Sequence, residues 1–399
     1  MSAGGNVSFV DTDLLSLDVH TDNSEPLYEW LREEAPLFWD SHNELWAVSR
    51  YADVVFVSRH TDIFCSRFGV VPKVGLDIWP DAAMINLDGA DHTRQRNLVS
   101  KGFTTGRIQK IEDQIRVVVD GLIDRMMDEP EPDLVRHFAR PLPMRIIGEM
   151  LGYPPEKDAE ILDWADIYVD GGNGPQYITE EVSDAFGMFI DYHEEIMEQR
   201  LNKRGDDLIS VWLDAEIDGH KLDDETLLYE HSLLLIGGSE TTRNSLSGGV
   251  QALLRHPEQW QALLHDRSKV PNAIEEMLRW TTPFVRMRRT LTQDYELHGK
   301  TMHEGDEIVM LYPAANRDPR VYADPQKFDI DRNFDKPSLS FGFGKHFCLG
   351  APLARLELRL GLERLLDRLP DLQLKPGDNG VSHRSCFIRG LESLPILVK

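Results

Sequence analysis

A mainly helical fold with a small β region, in a single domain covering residues 1–399, is what this chain predicts from three observations. Apolar residues recur at three- and four-residue spacings, as in Ile108, Ile111, Ile115, Val118, Val119 and Leu122 or in Leu353, Leu356 and Leu360, the period of a helix with one buried face. Strand patterns are fewer: Leu45 to Ser49, and Thr290 to Tyr312, where turns near Gly299 and Gly305 separate small hairpins that end in the apolar run Ile308-Val309-Met310-Leu311. No Pro/Gly/Ser linker, repeat or low-complexity tract divides the chain, and residues 1–25 read as an irregular N-terminal segment.

Among the helices, one is unusually long. Asp223 is a candidate N-cap, Leu222 and Leu227 can form a hydrophobic staple across it, and helical character runs to His256-Pro257. That is about 33 residues, or about 50 Å at 1.5 Å per residue, enough to cross a whole domain. Gly237 and Gly238 interrupt its apolar run Leu233-Leu234-Leu235-Ile236, each at about 1 kcal/mol relative to alanine, and Ser239-Glu240-Thr241-Thr242 follows. A ligand approaching the backbone explains such a pair, as does a close helix crossing or a break between two helices. Elsewhere, Asn272 to Trp280 places Glu276 and Arg279 on one helix face, and Asp91 to Arg96 does the same for His92 and Arg96. Trp164 to Met188 carries Gly171-Gly172-Asn173-Gly174-Pro175 between two helical stretches and reads as a lid with a flexible tip.

The formal charge of −25, from 43 basic and 68 acidic side chains, argues against nucleic acid or an anionic membrane as a main partner. Met1 to His20 lacks a continuous apolar run and carries Asp11, Asp13 and Asp18, so no membrane anchor is expected there. Three cysteines and no secretory signal point to a reducing cytoplasm. Lys345, Arg355 and Arg359 form a local basic group that reads either as a docking patch for an acidic electron carrier or as a solvated helix face.

Cys348 stands in Phe341-Gly342-Phe343-Gly344-Lys345-His346-Phe347-Cys348-Leu349-Gly350, just before an amphipathic helix from about Ala351 to Leu369. A helix start offers free N–H groups and the positive end of a dipole, so the thiol is expected to ionise easily there. The glycines let the backbone approach something flat and bulky, and a metal macrocycle is the expected occupant, although a lone cysteine by itself reads more readily as a small buried hydrophobe. No second cysteine lies at zinc-ligand spacing, and Cys65 and Cys386 read as unpaired thiols.

This run fits Phe-x-x-Gly-x-x-x-Cys-x-Gly in full and continues into Ala351-Pro352-Leu353-Ala354-Arg355-Leu356-Glu357. It resembles the haem-binding signature of the cytochrome P450 family, and the likeness extends from about Pro26 to Val398 with the motifs in the family's order. The resemblance implies the single-domain cytochrome P450 fold and haem b, with Cys348 as the iron ligand inside a loop framed by Phe341 and Gly350. His92, Arg96, Arg289 and His346 match the family's partners of the two propionates. Glu276, Arg279 and Arg332 match its structural ion cluster. By the same carry-over Thr241 would hydrogen-bond dioxygen and Glu240 would relay protons to it, although many bacterial members have Asp at the acid position, one methylene shorter.

The implied activity is that of a monooxygenase inserting one atom of O2 into a C–H bond of a lipophilic small molecule. No flavin or nicotinamide domain fits the remaining length, so electrons from NAD(P)H would arrive through a separate ferredoxin reductase and ferredoxin, with the chain acting as a monomer. A peroxide-driven peroxygenase and a haem sensor or ligand carrier that oxidises nothing are the alternatives. Candidate pocket residues are Phe68, Ile78, Trp79, Ile85, Ile236, Gly237, Phe284, Val285, Met287, Phe387 and Ile388, although any single aromatic or aliphatic among them reads more readily as ordinary core. The segments Glu276 to Pro283 and Phe387 to Ser393 are similar to those of bacterial members acting on sterols, terpenoids or branched lipids.

Overall fold

The central helix, Asp224–Arg255, is continuous over 32 residues, and most of the other helices are arranged around it. This computed structural model describes residues 9–21, 23–72 and 83–398. Asp223 caps the helix by accepting the Thr226 N–H through its side chain at 2.8 Å, with Asp224 and Glu225 at the positive end of the dipole. Leu222 and Leu227 are both buried in the main core, as a staple requires. At the far end the helix stops at His256, the residue before Pro257, whose ring suits the first turn of the next helix.

The glycine pair does not break this helix, and its two members behave differently. A Cβ on Gly238 would lie 2.7 Å from Ile147 Cδ1, so this glycine lets Pro141–Leu151 cross at close range. A Cβ on Gly237 would meet nothing within 4 Å, because that residue opens onto a cavity. Further along, Gly249 lies under Met277 of Val270–Thr281, which makes a second close crossing. Thr105–Asp128 and Ala351–Arg368 complete a core that includes Ile147, Leu246, Leu253, Met277 and Leu358.

The strands are β1 Leu37–Asp40, β2 Leu45–Val48, β3 Phe64–Cys65, β4 Arg286–Leu291, β5 Tyr295–Leu297, β6 Lys300–Met302 and β7 Glu307–Leu311, followed by short pairs near the C-terminus. They form a five-stranded sheet in the order β1-β2-β7-β4-β3, while β5 and β6 make a separate hairpin turning at Gly299, whose φ of 72° favours glycine. The apolar strand β7 is central, parallel to β2 and antiparallel to β4, which explains its unbroken hydrophobicity. Pairing of Arg289 with Ile308 across β4 and β7 fixes the position of that arginine.

The segment expected to be a lid with a flexible tip is pinned instead. Asn173 is buried; its side-chain oxygen accepts from Ser385 Oγ (2.7 Å) and the Cys386 N–H (2.9 Å), and its carbonyl accepts from Arg286 Nη2 (3.0 Å). Glycine is required at 172 because the Phe387 ring occupies the place of a Cβ. Local composition reads as flexible here, but partners some two hundred residues away hold the tip. Among the described residues no helix is long and apolar enough to cross a membrane.

Candidate active site

The loop before Ala351–Arg368 is shaped by its glycines. Gly342 and Gly344 have φ of 69° and 74°, and a Cβ on Gly344 would lie 2.8 Å from the Ser58 carbonyl oxygen. The Cys348 N–H donates to the Phe341 carbonyl at 2.9 Å, closing the loop so that the sulfur sits at the entrance to the helix. The thiol differs from expectation: burial pushes its pKa above the ordinary value, while the N–H groups of Gly350 and Ala351 and the Arg96 cation pull it down without prevailing. The helix start alone does not ionise this cysteine. A coordinated metal would, since a ligating thiol loses its proton outright.

Cys348 lines a cavity between the loop and the central helix, and residues from distant regions of the chain meet there. Phe341 and Gly350 lie on the sulfur side, Gly237 and Thr241 on the helix side, and His92, Arg96, Arg289 and His346 on the rim. The rim has more cationic and hydrogen-bonding capacity than the protein satisfies. His92 Nε2 and Arg289 Nε are buried without a partner, and the His92 and His346 rings lie 4.3 Å apart. Burial, reinforced by the positive neighbours His346 and Arg96, lowers His92 to about 4; burial also lowers Arg289 and His346. Arg96 Nη2 donates to the Phe347 carbonyl at 2.6 Å, and His346 Nε2 lies 3.2 Å from Ser66 Oγ. Orphaned donors around a slot with one sulfur in its floor fit an iron porphyrin carrying two carboxylates.

Thr241 and Glu240 point to different places. Thr241 donates its hydroxyl to the Gly237 carbonyl at 2.7 Å and lines this cavity. Glu240 lines a second, polar cavity with Asp166, Asp170, Arg243 and His383. Arg243 Nη1 donates to Glu240 Oε1 (3.0 Å) and to Asp166 Oδ1 (2.6 Å), and Arg140 Nε donates to Asp166 Oδ2 (2.9 Å). Burial raises Glu240 to about 7, with Arg243 opposing and Asp166 adding to the rise. The acid therefore does not reach the sulfur-bearing cavity in the conformation observed.

The family model described as Cytochrome P450 matches residues 174–380. A steroid C26-monooxygenase of Mycolicibacterium smegmatis is 40% identical over 391 residues, covering 97% of this chain and 96% of its own. A methyl-branched lipid omega-hydroxylase of Mycobacterium bovis is 37% identical, covering 98% of this chain and 95% of its own. The solved structure of a cytochrome P450 from Chondromyces apiculatus superposes with a TM-score of 0.88 at 32% identity, over 98% of this chain and 99% of that one. The chain belongs to the cytochrome P450 family.

This P450 is thus a haem-dependent monooxygenase that uses O2, and its fold is that of its structural neighbours. Glu276, Arg279 and Arg332 form a buried cluster outside the cavity. Arg279 grips Glu276 with two bonds of 2.7 Å, and Arg332 Nε adds a third at 3.0 Å. The spare guanidinium donors reach the Asn316, Pro325 and Lys327 carbonyls, whose dipoles help to hold the second cation that the single carboxylate does not neutralise. In the basic group near the cysteine, Arg355 is paired with Glu275 and Arg359 with Glu112, which leaves Lys345 as the exposed cation of the three with no acidic partner among the described residues.

Of the expected pocket residues, Ile85, Gly237, Phe284 and Met287 line the P450 cavity. Phe68 is 54% exposed and stacks against Arg67, Val285 is buried with its backbone paired to Phe387, and Ile236 and Phe387 pack in an adjoining apolar cluster. Ile388 borders the polar cavity, and Ile78 and Trp79 fall outside the described residues. Sequence reasoning missed Val70, Met84, Glu230, Leu233 and Leu234. A signal existed: Glu230, Leu233, Leu234, Gly237, Thr241 and Ser245 follow the three- and four-residue spacing of a single helix face.

Proposed function

We propose that this P450 hydroxylates a C–H bond of a steroid or methyl-branched lipid, with electrons drawn from NAD(P)H through a ferredoxin and its reductase in the reducing cytoplasm. The observation that carries the reading is a shared cavity: an apolar wall of Val70, Met84, Ile85, Leu233, Phe284 and Met287 continues into the space between Thr241 and Cys348. The kinship to enzymes named for steroid and methyl-branched lipid substrates supports that choice of molecule.

Cys348 would hold the iron through its sulfur, and His92, Arg96, Arg289 and His346, which line the same cavity, would hold the two carboxylates. When bound, the haem supplies the redox chemistry that activates O2, and electron donation from a thiolate favours O–O cleavage. Thr241, already donating to the Gly237 carbonyl, keeps its oxygen lone pairs free to accept a proton-bearing partner inside the cavity. Glu240 holds a proton near neutral pH in the polar cavity behind it and must leave Arg243 to pass that proton forward. Closely packed apolar side chains around the substrate exclude bulk water from the reacting carbon. Exposed Lys345, on the cysteine side, is the point at which an acidic ferredoxin docks.

The test is a screen of steroids and methyl-branched lipids with purified holoprotein, read by the spin-state shift and by product formation with ferredoxin, reductase and NADPH. Hydroxylated product from either class supports the reading. Turnover with peroxide alone, or binding of both classes without oxidation, overturns it in favour of a peroxygenase or a carrier.

A further inference from the structure

Glu230 is the acidic member of the helix face that lines the cavity, close to Met84, Gln95 and Arg96, and it is 1% exposed. Its Oε1 accepts from the Met84 N–H at 2.5 Å and from Gln95 Nε2 at 2.8 Å, which fixes the carboxyl in place. Its Oε2 is buried without a partner. Burial raises this group to about 7, against the pull of Gln95, the Met84 N–H and Arg96. An oxygen left unsatisfied in such surroundings costs free energy, which a ligand able to satisfy it recovers.

We infer that Glu230 is a specificity-determining residue, whose Oε2 binds a hydroxyl group on an otherwise lipophilic substrate. The inference rests on the lipid reading of the cavity. The choice of hydroxyl follows from chemistry near neutrality, where the carboxyl exists in both forms. An ionised Oε2 needs a donor and a protonated one needs an acceptor; a hydroxyl serves both, a ketone or ether serves the second alone, and a carboxylate is repelled by the ionised form. Glu230 and Thr241 share one helix face, eleven residues apart, about 16 Å at 1.5 Å per residue. The anchored hydroxyl and the oxidised carbon therefore lie at opposite ends of the bound molecule.

Spin-state titrations of the holoenzyme decide the matter, using a hydroxysteroid and a long-chain methyl-branched alkanol, each beside its methyl ether. At pH 8 the wild type should bind at least one alcohol roughly tenfold more tightly than its ether. Glu230→Gln offers an amide N–H to either oxygen and should bring that ratio close to one, and Glu230→Leu should abolish the preference as well. Equal binding of alcohol and ether by the wild type overturns the anchor and leaves the lipid reading standing. An unchanged ratio in variants that keep full haem content also overturns it. Should neither variant fold, the wild-type ratio alone decides. No shift with any of the four probes removes the lipid reading and this anchor together.

Discussion

Glu240 and Thr241 are consecutive in the chain and face different cavities, Thr241 the one that holds Cys348 and Glu240 the polar one that holds His383. A helix turns about 100° per residue, so neighbours on a helix as deeply buried as this one reach separate compartments. Removing each side chain should have a different result. Thr241→Ala should keep substrate affinity and lower product formed per NADPH consumed, roughly tenfold or more. Glu240→Gln should slow turnover with affinity unchanged. Undiminished product yield in Thr241→Ala would show that its hydroxyl takes no role in the reaction.

The raised pKa of Glu240 also makes a stability prediction. The unfolded chain releases this proton near the ordinary carboxyl value of about 4.3, whereas the folded protein retains it up to about 7. Stability contributed by the protonated group is therefore present at low pH and is lost as pH rises through that window. Glutamine does not titrate. Denaturation at pH 5 and at pH 8 should show Glu240→Gln gaining on the wild type at the higher pH.

Arg332→Ala removes one of two cations from Glu276, which is fully buried. Loss of one partner of a buried pair destabilises by about 3–5 kcal/mol. Urea denaturation should register that loss, and the purified variant should carry less haem per chain. Full haem content with unchanged stability would contradict the structural role of the cluster.

Arg289→Leu should act in opposite directions on the two forms of the protein. Arg289 is 4% exposed with its Nε unpartnered, so without haem it is a buried cation lacking an anion. The variant apoprotein should be at least as stable as the wild-type apoprotein, while the holoprotein loses haem more readily, roughly tenfold for one charge-assisted bond. Equal haem transfer rates to an acceptor protein would exclude Arg289 as a carboxylate partner.

Asn173→Ala breaks the fastening of the Gly171–Asn173 turn to Ser385 and Cys386. Amide exchange at the turn and at Phe387 should accelerate, with a stability loss of about 1–3 kcal/mol. Unchanged exchange would mean that packing of Phe387 on Gly172 suffices.

What the sequence made legible follows from how local each feature is. The cysteine loop depends on residue types at short fixed spacing, so Phe341, Gly344, Cys348 and Gly350 announced it; the central helix was equally plain, since Asp223 and Pro257 punctuate its ends. The directions of Glu240 and Glu230 were not legible, because they depend on which helices pack on which face. Nor was the pinned turn at Asn173, whose partners are set by tertiary contact with Ser385 and Cys386. The direction of the Cys348 pKa without a metal was not legible, because the helix-end effect is readable from sequence and the stronger opposing effect of burial is not.

The differing surroundings of Gly237 and Gly238 divide the helix-side wall of the site into a tunable and a forbidden position. A methyl group on Gly238 would push Ile147 aside and force the crossing helices away from each other, whereas one on Gly237 projects into open space. Size selection could therefore be redrawn at a single atom, by trimming the room available to the bound molecule while the scaffold stays as it is.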